Sequence, residues 1–457
     1  MAAVWRTDYR SWGGTLSGPH HVSRPTDLAS AEHELLAAAN PPLLGFGCGR
    51  SYGDVALNPG GSLVDCSLLD RFIDFDPTSG ILACEAGVRL ADILAVICRP
   101  RADGSGWLLP VTPGTRFVTV AGAIANDVHG KNHHSAGTFG RHVLSFDIVR
   151  SDGRHTTCSR ESDAELFAAT IGGLGLTGLI LRARLQMRRV SGLAVEAEDI
   201  RFDGLEGFFS IAEESDGTWE YTAAWIDCLA GGKALGRGIY SRARHSPGRG
   251  AEPPARSPSR NMPVQPPFSL ATPLTVSMFN ALYWRKLGRL GRSRRAQSYE
   301  SVFYPLDAVG GWNRIYGPSG FYQFQSVVPM ATARQSTSEM LKLIAGSGQG
   351  SMLSVLKLFG DVSSPGLLSF PMPGLTLALD FPNRGDATRQ LLLRLEQIAI
   401  EAGGRIYPAK DALMSAAGFR AGYPNFEAFV GHIDPRFSSA FARRVGLVAP
   451  LEVRPPS

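Results

Sequence analysis

The stretch Val111-Thr-Pro-Gly-Thr-Arg-Phe-Val-Thr-Val-Ala-Gly-Ala-Ile-Ala-Asn-Asp-Val-His-Gly-Lys-Asn-His-His-Ser-Ala-Gly-Thr-Phe-Gly140 decides how the rest of the chain is interpreted. Its glycines remove the Cβ atoms that would hold a ligand away from the main chain. Residues 118–124 are small and apolar, which suits a flat ligand, and polar side chains follow over 127–134. A packed core gains nothing from so many missing side chains, so the stretch predicts a cofactor pocket.

A second glycine-rich stretch, Gly45-Phe-Gly-Cys-Gly-Arg-Ser-Tyr-Gly-Asp54, follows a short strand predicted over 43–45. Loops of this kind turn backbone N–H groups toward phosphate oxygens without side chains in the way. The side chains of Arg50 and Ser51 add further donors. The stretch therefore predicts a second wall of the same pocket.

A third motif, Gly173-Leu-Gly-Leu-Thr-Gly178, fits the dinucleotide fingerprint G-x-G-x-x-G. That fingerprint needs a helix after the motif, with its N-terminus on the pyrophosphate. Residues 179–187 instead alternate between apolar and polar side chains, and this period of two predicts a strand. We therefore expect no Rossmann-type NAD site at this motif.

The composition bounds the class of protein. The 457 residues are 44% hydrophobic and 19% charged, as in globular proteins, and they suffice for two or three domains. The net charge of +5 is mild, so we expect no nucleic-acid partner. The first residues lack the apolar core of a secretory signal, and no apolar run of about 18 residues could span a bilayer. Six cysteines without CxxC spacing favour reduced thiols of a cytoplasmic protein.

Periodicity and turn residues predict the remaining elements. We expect helices over 26–40, 90–98, 163–170, 337–345 and 391–399. The strands after residue 192 suggest a mostly antiparallel sheet. Strands are expected over 80–88, 145–149, 221–227, 236–242, 299–304, 321–329, 351–359 and 375–381.

The middle of the chain leaves two interpretations open. Residues 246–267 are rich in Pro, Arg and Ser, which predicts a mobile loop. Apolar residues over 268–284 then precede a basic run, and such a pair can lie on an anionic membrane surface. The alternative is a solvated basic loop beside a core segment. The basic residues are Arg285, Lys286, Arg289, Arg292, Arg294 and Arg295.

Two glycine-rich loops without a Rossmann helix resemble the vanillyl-alcohol-oxidase (VAO/PCMH) family of FAD-binding proteins. Within it, the chain is similar to the oxidase subunits of decaprenylphosphoryl-β-D-ribose 2-epimerases. The matching blocks span nearly the whole chain, and residues 130–137 are the most specific. These blocks are Gly49-Arg-Ser-Tyr-Gly-Asp54, Pro113-Gly-Thr-Arg116, His129-Gly-Lys-Asn-His-His-Ser-Ala-Gly137, Tyr316-Gly-Pro, Lys357-Leu-Phe-Gly360 and Ala409-Lys-Asp411.

The resemblance implies an α+β fold. A two-subdomain FAD-binding domain would occupy residues 1–190. A substrate domain over 191–404 would be built on a mostly antiparallel sheet with flanking helices and would carry a mobile loop at about 243–296. Residues 405–457 would return to the FAD-binding domain.

The resemblance also implies the cofactor and the residues around it. FAD would be bound non-covalently, because Tyr52 stands where covalent-flavin members carry a histidine. Implied cofactor contacts are Gly45, Phe46, Gly47, Cys48, Gly49, Arg50, Ser51, Tyr52, Gly53, Asp54, Val55, Gly114, Thr119, Val120, Ala121, Gly122, Asn126, Asp127, Val128, His129, Ile180 and Tyr407. Implied substrate contacts are Lys131, Tyr316, Gln325, Lys357, Asp380 and Lys410.

Three positions depart from the pattern of those oxidase subunits. Ala378 replaces a cysteine that nitroaromatic inhibitors modify, Ser354 replaces an asparagine, and Asn126 replaces another cysteine. These changes bear on inhibitor sensitivity and on fine substrate fit more than on the class of reaction.

Two residues are candidates for catalysis. Oxidation of a secondary alcohol on a flavin needs a base for the hydroxyl proton and stabilisation of the reduced ring. His129 would hold the flavin edge or steer the proton, because a near-neutral pKa suits this task, and the alternative is a structural histidine. Lys410 would orient the hydroxyl, or accept its proton if burial lowers the pKa of the amine, and the alternative is a surface lysine.

Other polar residues suit the substrate. Lys131, Lys357 and Lys410 are natural partners for an anionic sugar phosphate. Gln325 and Asp380 would fix sugar hydroxyls, and the alternative is that they are ordinary polar residues of strands. We expect no metal at His129, His133 and His134, because no Cys or carboxylate stands at zinc-site spacing.

The resemblance thus implies FAD-dependent oxidation of the ribose 2-hydroxyl of a polyprenyl-phosphoryl ribose to the 2-keto sugar. A partner NAD(P)H-dependent reductase would return the hydride on the opposite face, giving an arabinose donor for envelope glycans. One alternative is an aldonolactone or alditol oxidase that uses oxygen. Another is a non-catalytic flavin-bound scaffold for the reductase. We expect a cytoplasmic protein, with peripheral membrane contact if the basic segment lies on a bilayer.

Overall fold

The computed structural model describes residues 3–37, 42–246 and 260–451. They form an α+β fold with three main sheets, as the resemblance implies. A four-stranded N-terminal sheet holds three parallel strands and one antiparallel edge strand. Its spatial order is Val4–Arg6, His20–Ser23, Ser62–Asp65 and Leu43–Phe46.

The helix Leu28–Ala37 lies between the second and third strands of this sheet in the sequence. Asp27 caps it, because the carboxylate accepts the N–H of Ser30 at 2.8 Å. Leu35 is buried, whereas Leu36 is 44% exposed and lies off the buried face of the helix. The last three residues of the predicted helix, 38–40, lie outside the described residues.

A five-stranded antiparallel sheet, the middle sheet, follows the N-terminal sheet in the chain. The strand Leu179–Gln186 lies at its centre and alternates between buried and exposed residues in its second half, so the predicted strand after the G-x-G-x-x-G motif is confirmed. Three helices, Leu90–Val96, Val120–Ala125 and Ala164–Thr170, share its apolar core. The order of strands is Phe72–Asp76, Ile81–Glu85, Leu179–Gln186, Val143–Val149 and His155–Ser159.

An eight-stranded sheet, the large sheet, is antiparallel throughout, which confirms the predicted antiparallel sheet. The helices Leu205–Ser215, Met330–Ser347 and Asp386–Glu401 contribute apolar side chains to its core. Its order is Arg292–Ser298, Ala194–Phe202, Gly238–His245, Tyr221–Ile226, Ser354–Phe359, Gly374–Pro382, Phe321–Val328 and Arg405–Ile406.

The strand predicted over 299–304 is wrong, because Tyr299–Phe303 is a helix. The hydroxyl of Ser298 accepts the N–H of Glu300 at 3.2 Å and caps this helix, which outweighs the strand preference of its aromatic residues. The smaller elements are Gly106–Leu108 paired with Arg188–Val190, Arg260–Asn261 paired with Val309–Gly310, and the helices His133–Ala136, Pro273–Arg285, Ala416–Gly422, Phe426–Val430 and Ala440–Arg444.

The predicted mobile loop at about 243–296 is only partly described. Residues 247–259, with most of the Pro- and Arg-rich segment, lie outside the described residues. Beyond them, the chain forms the helix Pro273–Arg285 and then the edge strand Arg292–Ser298 of the large sheet. Regular structure therefore occupies much of the second half of this segment.

The end of the chain packs back on its beginning. The N–H of Tyr52 donates to the carbonyl of Ala409 at 2.9 Å. Arg444 binds both carboxylate oxygens of Asp54 at 2.7 and 2.8 Å and that of Asp411 at 2.9 Å. These contacts place the turn Pro408–Lys410 beside the first glycine-rich loop. Within the described ranges, no helix is both long enough and apolar enough to cross a membrane.

Candidate active site

A cavity of about 940 Å³ lies where the two glycine-rich loops face the large sheet. One wall is backbone from the first loop around Gly47 and from the second loop around Gly122. The opposite wall carries side chains of the large sheet, among them Gln325, Lys357 and Asp380. This volume lies at the upper end of the range for small-molecule and cofactor pockets.

The two loops are held together by a close backbone approach. A Cβ on Gly47 would lie 2.5 Å from the hydroxyl of Thr119, which only glycine avoids. That hydroxyl accepts the N–H of Gly122 at 3.1 Å and caps the helix Val120–Ala125. In the part of the chain that the structure describes, no atom lies within 4 Å of a Cβ position on Gly114, so its face of the loop is open.

The cavity brings together most of the residues that the sequence assigns to the cofactor. Eighteen positions line it, namely Gly45, Phe46, Gly47, Cys48, Gly49, Arg50, Ser51, Tyr52, Val55, Gly114, Thr119, Ala121, Gly122, Asn126, Val128, His129, Ile180 and Tyr407. The structure therefore gathers both loops and the far tail around one space.

Four of the assigned residues lie behind the wall instead. Gly53 packs against the chain at Asp411, where a Cβ would lie 1.7 Å from the carbonyl oxygen. Asp54 is bound by Arg444, and Val120 belongs to the core of the middle sheet. Asp127 is fully buried, has a positive φ of 38°, and accepts the N–H of Gly140 at 2.8 Å. These four residues shape the wall without facing the cavity.

Buried polar atoms of the cavity wall lack a protein partner among the described residues. They include Nε of Arg50, Oδ1 of Asn126 and Nδ1 of His129. Burial lowers the pKa of the Arg50 guanidinium, which lies 4.0 Å above the ring of Trp12. Since buried polar groups need hydrogen-bond partners, these atoms indicate that a polar ligand binds here. Together with the backbone wall, they fit FAD, whose diphosphate and ring edge carry acceptors and donors.

His129 is held by the large sheet and by aromatic rings. Its Nε2 lies 3.1 Å from Nε2 of Gln325, which also donates to the hydroxyl of Thr376 at 3.2 Å. Phe359 and Tyr407 approach the imidazole with ring centres 4.9 and 5.2 Å away. Burial, reinforced by the charge of nearby lysines, holds the pKa of His129 well below its usual value. The imidazole is therefore neutral at physiological pH.

Lys410 and Asp380 face the same cavity. Nζ of Lys410 lies 3.9 Å above the ring of Tyr52. Burial lowers the pKa of Lys410 to about 8, and the carboxylate of Asp380 opposes that shift. Asp380 is fully buried, and burial raises its pKa to about 7, although Gln323 donates to it at 2.6 Å. An amine with such a pKa can accept a proton near neutral pH.

Two further lysines lie in the wall near His129. Nζ of Lys357 donates to the carbonyl of Gly130 at 3.4 Å, and Nζ of Lys131 donates to the carbonyl of Val302. Burial lowers the pKa of Lys357 to about 7, with the charges of Lys131 and Lys410 adding to the effect. Burial also lowers the pKa of Lys131 to about 8. An anion bound between them would restore their positive charge.

Tyr316 is the one residue assigned to the substrate that lies behind the wall of the cavity as described. It is almost fully buried, and its ring stacks on Phe321 at 4.3 Å. Burial raises the pKa of its phenol well above the usual value, and the carboxylate of Asp380 adds to the shift. Tyr316 therefore supports the region around Asp380 from behind.

Several wall residues escaped the sequence analysis. Gln323 precedes Gln325 by two residues on one strand, so period two alone would have placed both amides on one face. Trp225, Phe279 and Tyr283 also line the cavity, but they lie on a strand and a helix whose orientation no local pattern reveals. The substituted positions Ala378 and Ser354 line it too, and the hydroxyl of Ser354 has no partner in the described ranges.

A metal centre finds no support in the described residues. They contain no group of three or more His, Cys, Asp or Glu side chains placed to hold an ion. His134 bonds to the carbonyl of Trp219 at 3.1 Å, and the ring of His133 packs on Phe359 at 4.6 Å. Burial lowers the pKa of His133 to about 3.

Comparison with known proteins agrees with this geometry. The FAD binding domain family matches residues 19–159, which contain both glycine-rich loops. Decaprenylphosphoryl-β-D-ribose oxidase of Mycolicibacterium smegmatis is 36% identical over 96% of this chain and 97% of its own length. An uncharacterised protein of Streptomyces coelicolor is 34% identical over 75% of this chain and 96% of its own length. Mouse L-gulonolactone oxidase is 28% identical over only 39% of this chain and 40% of its own length.

Proposed function

The chain belongs to the family of FAD-dependent oxidoreductases that includes decaprenylphosphoryl-β-D-ribose oxidase, and from that premise we propose that it oxidises the ribose 2-hydroxyl of decaprenylphosphoryl-β-D-ribose, or of a similar polyprenyl-phosphoryl ribose, to the 2-keto sugar. One observation carries the proposal. A single cavity combines a wall of glycine-rich backbone with a lysine of lowered pKa and two half-buried lysines suited to a phosphate.

The cofactor would lie along the two loops. Backbone N–H groups near Gly47 and Ser51 and the side chain of Arg50 suit its phosphates. Asn126 and His129 suit its ring edge, because each presents a buried polar atom that no other described residue binds. When bound there, FAD supplies the acceptor for the hydride that leaves the ribose C2–H.

The residues of the chain supply the acid–base chemistry. The neutral amine of Lys410 accepts the proton of the 2-hydroxyl as the C2–H bond breaks, so that the alcohol becomes a ketone. Neutral His129, oriented by Gln325, holds the reacting region by hydrogen bonding. Lys357 and Lys131 bind the phosphate, which sits on the carbon next to the reacting one. Exclusion of water by the surrounding aromatic rings strengthens each of these interactions.

Epimerisation requires a partner. The keto sugar has lost a hydride, and the arabinose epimer forms only when a reductant returns one on the opposite face. The glycine motif after Thr170 leads into a strand, a context that does not suit a nicotinamide cofactor. We therefore assign the second half-reaction to a separate NAD(P)H-dependent reductase, with the product feeding arabinosylated envelope glycans.

We propose that the helix Pro273–Arg285 makes the peripheral contact with a membrane surface. Leu274, Met278 and Leu282 are 69%, 57% and 69% exposed, and their spacing of four residues puts them on one face. The inward face carries Asn280, which donates to Asp227 at 2.9 Å. Large apolar residues facing outward suit the interface of a bilayer, where the lipid-linked substrate resides.

The basic run beside this helix contributes less to membrane binding than its number of charges suggests. Arg294 binds Glu196 at 2.7 Å, and Arg292 lies 3.3 Å from Glu198. Arg295 lies 3.8 Å from the carboxylate of Asp199. Because these cations already face carboxylates, apolar burial rather than charge would drive the contact.

We assign the functions of the parts of the chain according to the three sheets. We assign FAD binding to residues 1–190, which hold the N-terminal and middle sheets. Substrate binding belongs to residues 191–404, which hold seven strands of the large sheet and its helices. We assign residues 405–457 to a C-terminal segment, whose described part up to residue 451 returns to the FAD-binding part and carries Lys410.

Anaerobic mixing of the purified holoprotein with prenyl-phosphoryl ribose tests the function. Bleaching of the flavin absorbance by the ribose compound, and not by its 2-deoxy analogue, is the expected result. Bleaching by soluble aldonolactones or alditols, with peroxide formed on exposure to air, would point instead to an oxygen-using oxidase. A flavin that none of these compounds reduces would point to a non-catalytic scaffold.

A further inference from the structure

We propose that Trp225, Tyr283 and Phe279 form an isoprenoid-binding subsite, which leads the lipid tail of the substrate from the cavity to the protein surface. The inference rests on the proposed function, since it assigns the tail of the same substrate. It adds a determinant of specificity that lies outside the ribose and phosphate contacts.

The three rings form a continuous row along the cavity wall. Trp225 and Tyr283 meet edge to face with ring centres 4.6 Å apart. Tyr283 and Phe279 stack at 5.6 Å, with their planes 16° apart. The indole N–H of Trp225 donates to the carbonyl of Met352 at 2.9 Å, so its polar atom is already satisfied. The row therefore offers apolar ring surface to a ligand.

The inner end of the row lies next to the phosphate site. Trp225 pairs with Val355 on the neighbouring antiparallel strand, and Lys357 is two residues further along that strand. Paired residues and those two positions away share one face of a sheet, with diagonal neighbours about 7–8 Å apart. All three residues line the cavity. A phosphate held by Lys357 thus places the first isoprene unit beside Trp225.

The outer end of the row reaches the exposed apolar face of the helix Pro273–Arg285. Phe279 is 37% exposed and lies between the inward Asn280 and the outward Met278. A tail that follows the row therefore passes from the cavity to the outward face, which carries Leu274 and Leu282, without crossing water. The charge next to the row is balanced, since Lys286, 4.0 Å above the ring of Tyr283, lies 3.8 Å from the carboxylate of Asp199.

The form of the ligand also fits this path. A prenyl chain is flexible and apolar, and it gains affinity from any ring surface that removes it from water. The three rings come from two elements joined by the bond from Asn280 to Asp227, so the row is fixed before the ligand arrives. Such preorganisation reduces the entropic cost of binding.

The test compares two phosphodiesters of ribose, a methyl ester and a three-isoprene ester, both supplied in detergent solution without vesicles. The second-order rate constant of anaerobic flavin reduction is measured for each ester at substrate concentrations well below saturation. The wild-type holoprotein is expected to prefer the three-isoprene ester by about 10-fold or more. The double variant F279S/Y283S is expected to lose most of that preference.

The controls separate the possible failures. Leu393→Ser, at a 41% exposed position on the helix Asp386–Glu401, is expected to keep the preference of the wild type. Thermal unfolding and the flavin content verify that the double variant is folded and loaded. Equal use of both esters by the wild type, or an unchanged preference in the folded double variant, overturns the subsite alone. Failure of both esters to reduce the flavin overturns the proposed function and the subsite together.

Discussion

Nζ of Lys410 lies 3.9 Å above the centre of the Tyr52 ring, so the tail of the chain and its first glycine-rich loop meet inside the cavity. The contact is a cation–π interaction while the amine is charged. Removal of solvent favours the neutral amine and lowers the pKa of Lys410, while the carboxylate of Asp380 opposes that shift, so the pKa lies at about 8. The geometry thus prepares one lysine to gain and lose a proton near neutral pH.

Lys410→Ala is expected to keep FAD and to slow its reduction by substrate by about 10²–10⁴-fold, the usual contribution of a general base. Lys410→Arg distinguishes a base from a simple charge, because arginine stays protonated and yet keeps the cation–π contact. Stopped-flow measurement of anaerobic flavin reduction checks both variants. Rates of Lys410→Arg close to the wild type would show that Lys410 acts by its charge and not as a base.

The pH dependence of reduction is expected to follow Lys410. The neutral amine is the active form, so the rate should rise as pH increases through about 8 and then level off. Asp380 raises the pKa of Lys410, so Asp380→Asn should lower it and move the inflection to lower pH. Rates of flavin reduction between pH 6 and pH 10, at saturating substrate, measure the shift. An inflection that stays in place would remove Asp380 from the control of Lys410.

Lys357→Met is expected to weaken substrate binding and not chemistry. Loss of a hydrogen bond from a charged group costs about 1.5–3 kcal/mol, which corresponds to a rise of KM by about 10–150-fold with kcat little changed. Lys342→Met, on an exposed position of the helix Met330–Ser347, is the matched control. Steady-state kinetics with a prenyl-phosphoryl ribose and an added dye as electron acceptor checks the pair. A large loss of kcat with unchanged KM would contradict a phosphate-binding role.

The outward face of the helix Pro273–Arg285 should govern membrane binding. The triple variant L274S/M278S/L282S removes apolar burial of about 1 kcal/mol per side chain, which predicts about 100-fold weaker binding to phospholipid vesicles. Leu393→Ser removes one exposed apolar residue elsewhere and should bind as the wild type does. Sedimentation with vesicles of anionic and neutral lipids measures both. Equal binding of the triple variant and the wild type would exclude this helix as the contact.

Much of the cavity could be predicted because its signals are local. Glycines of the two loops mark positions where a Cβ would collide with a neighbour, as at Gly47. A run of glycines is visible in the sequence without knowledge of the fold. The strand Leu179–Gln186 is visible in its alternation. Lys357 and Gln325 were found through the resemblance, since a single polar residue in a strand carries no local signal of function.

The residues that were misplaced depend on contacts distant in sequence. Whether Asp54 turns toward the cavity is decided by Arg444, almost the length of the chain away. Asp127 turns inward because Ser369 and Gly140 bind its carboxylate. The orientation of the helix Pro273–Arg285, with polar Asn280 inward and apolar Leu274, Met278 and Leu282 outward, was equally hidden, because Asn280 faces inward through its bond to Asp227. Sequence periodicity gives the spacing of residues but not which face meets the core.

Asp54 was predicted to contact the cofactor, but it is bound by Arg444 instead. Substitution of Arg444 tests whether the role of Asp54 is structural. Arg444→Met leaves Asp54 and Asp411 buried without a cation, and breaking a buried pair in this way costs about 3–5 kcal/mol of unfolding free energy. Burial already raises the pKa of Asp54, and losing Arg444 raises it further. A carboxyl with a raised folded-state pKa gains stability as pH falls, so the deficit should be smaller at pH 5 than at pH 8.

Denaturant unfolding of the variant and the wild type at both pH values measures this deficit. Arg389→Met, which breaks the exposed pair with Asp386, is the control and should unfold as the wild type does at either pH. The still-folded Arg444→Met protein should bind FAD with nearly the affinity of the wild type, because the Asp54 side chain lies behind the cavity wall. If Arg444→Met is as stable as the wild type but has lost its affinity for FAD, Asp54 contacts the cofactor after all. A deficit that does not change with pH would mean that the orphaned carboxyls reach solvent.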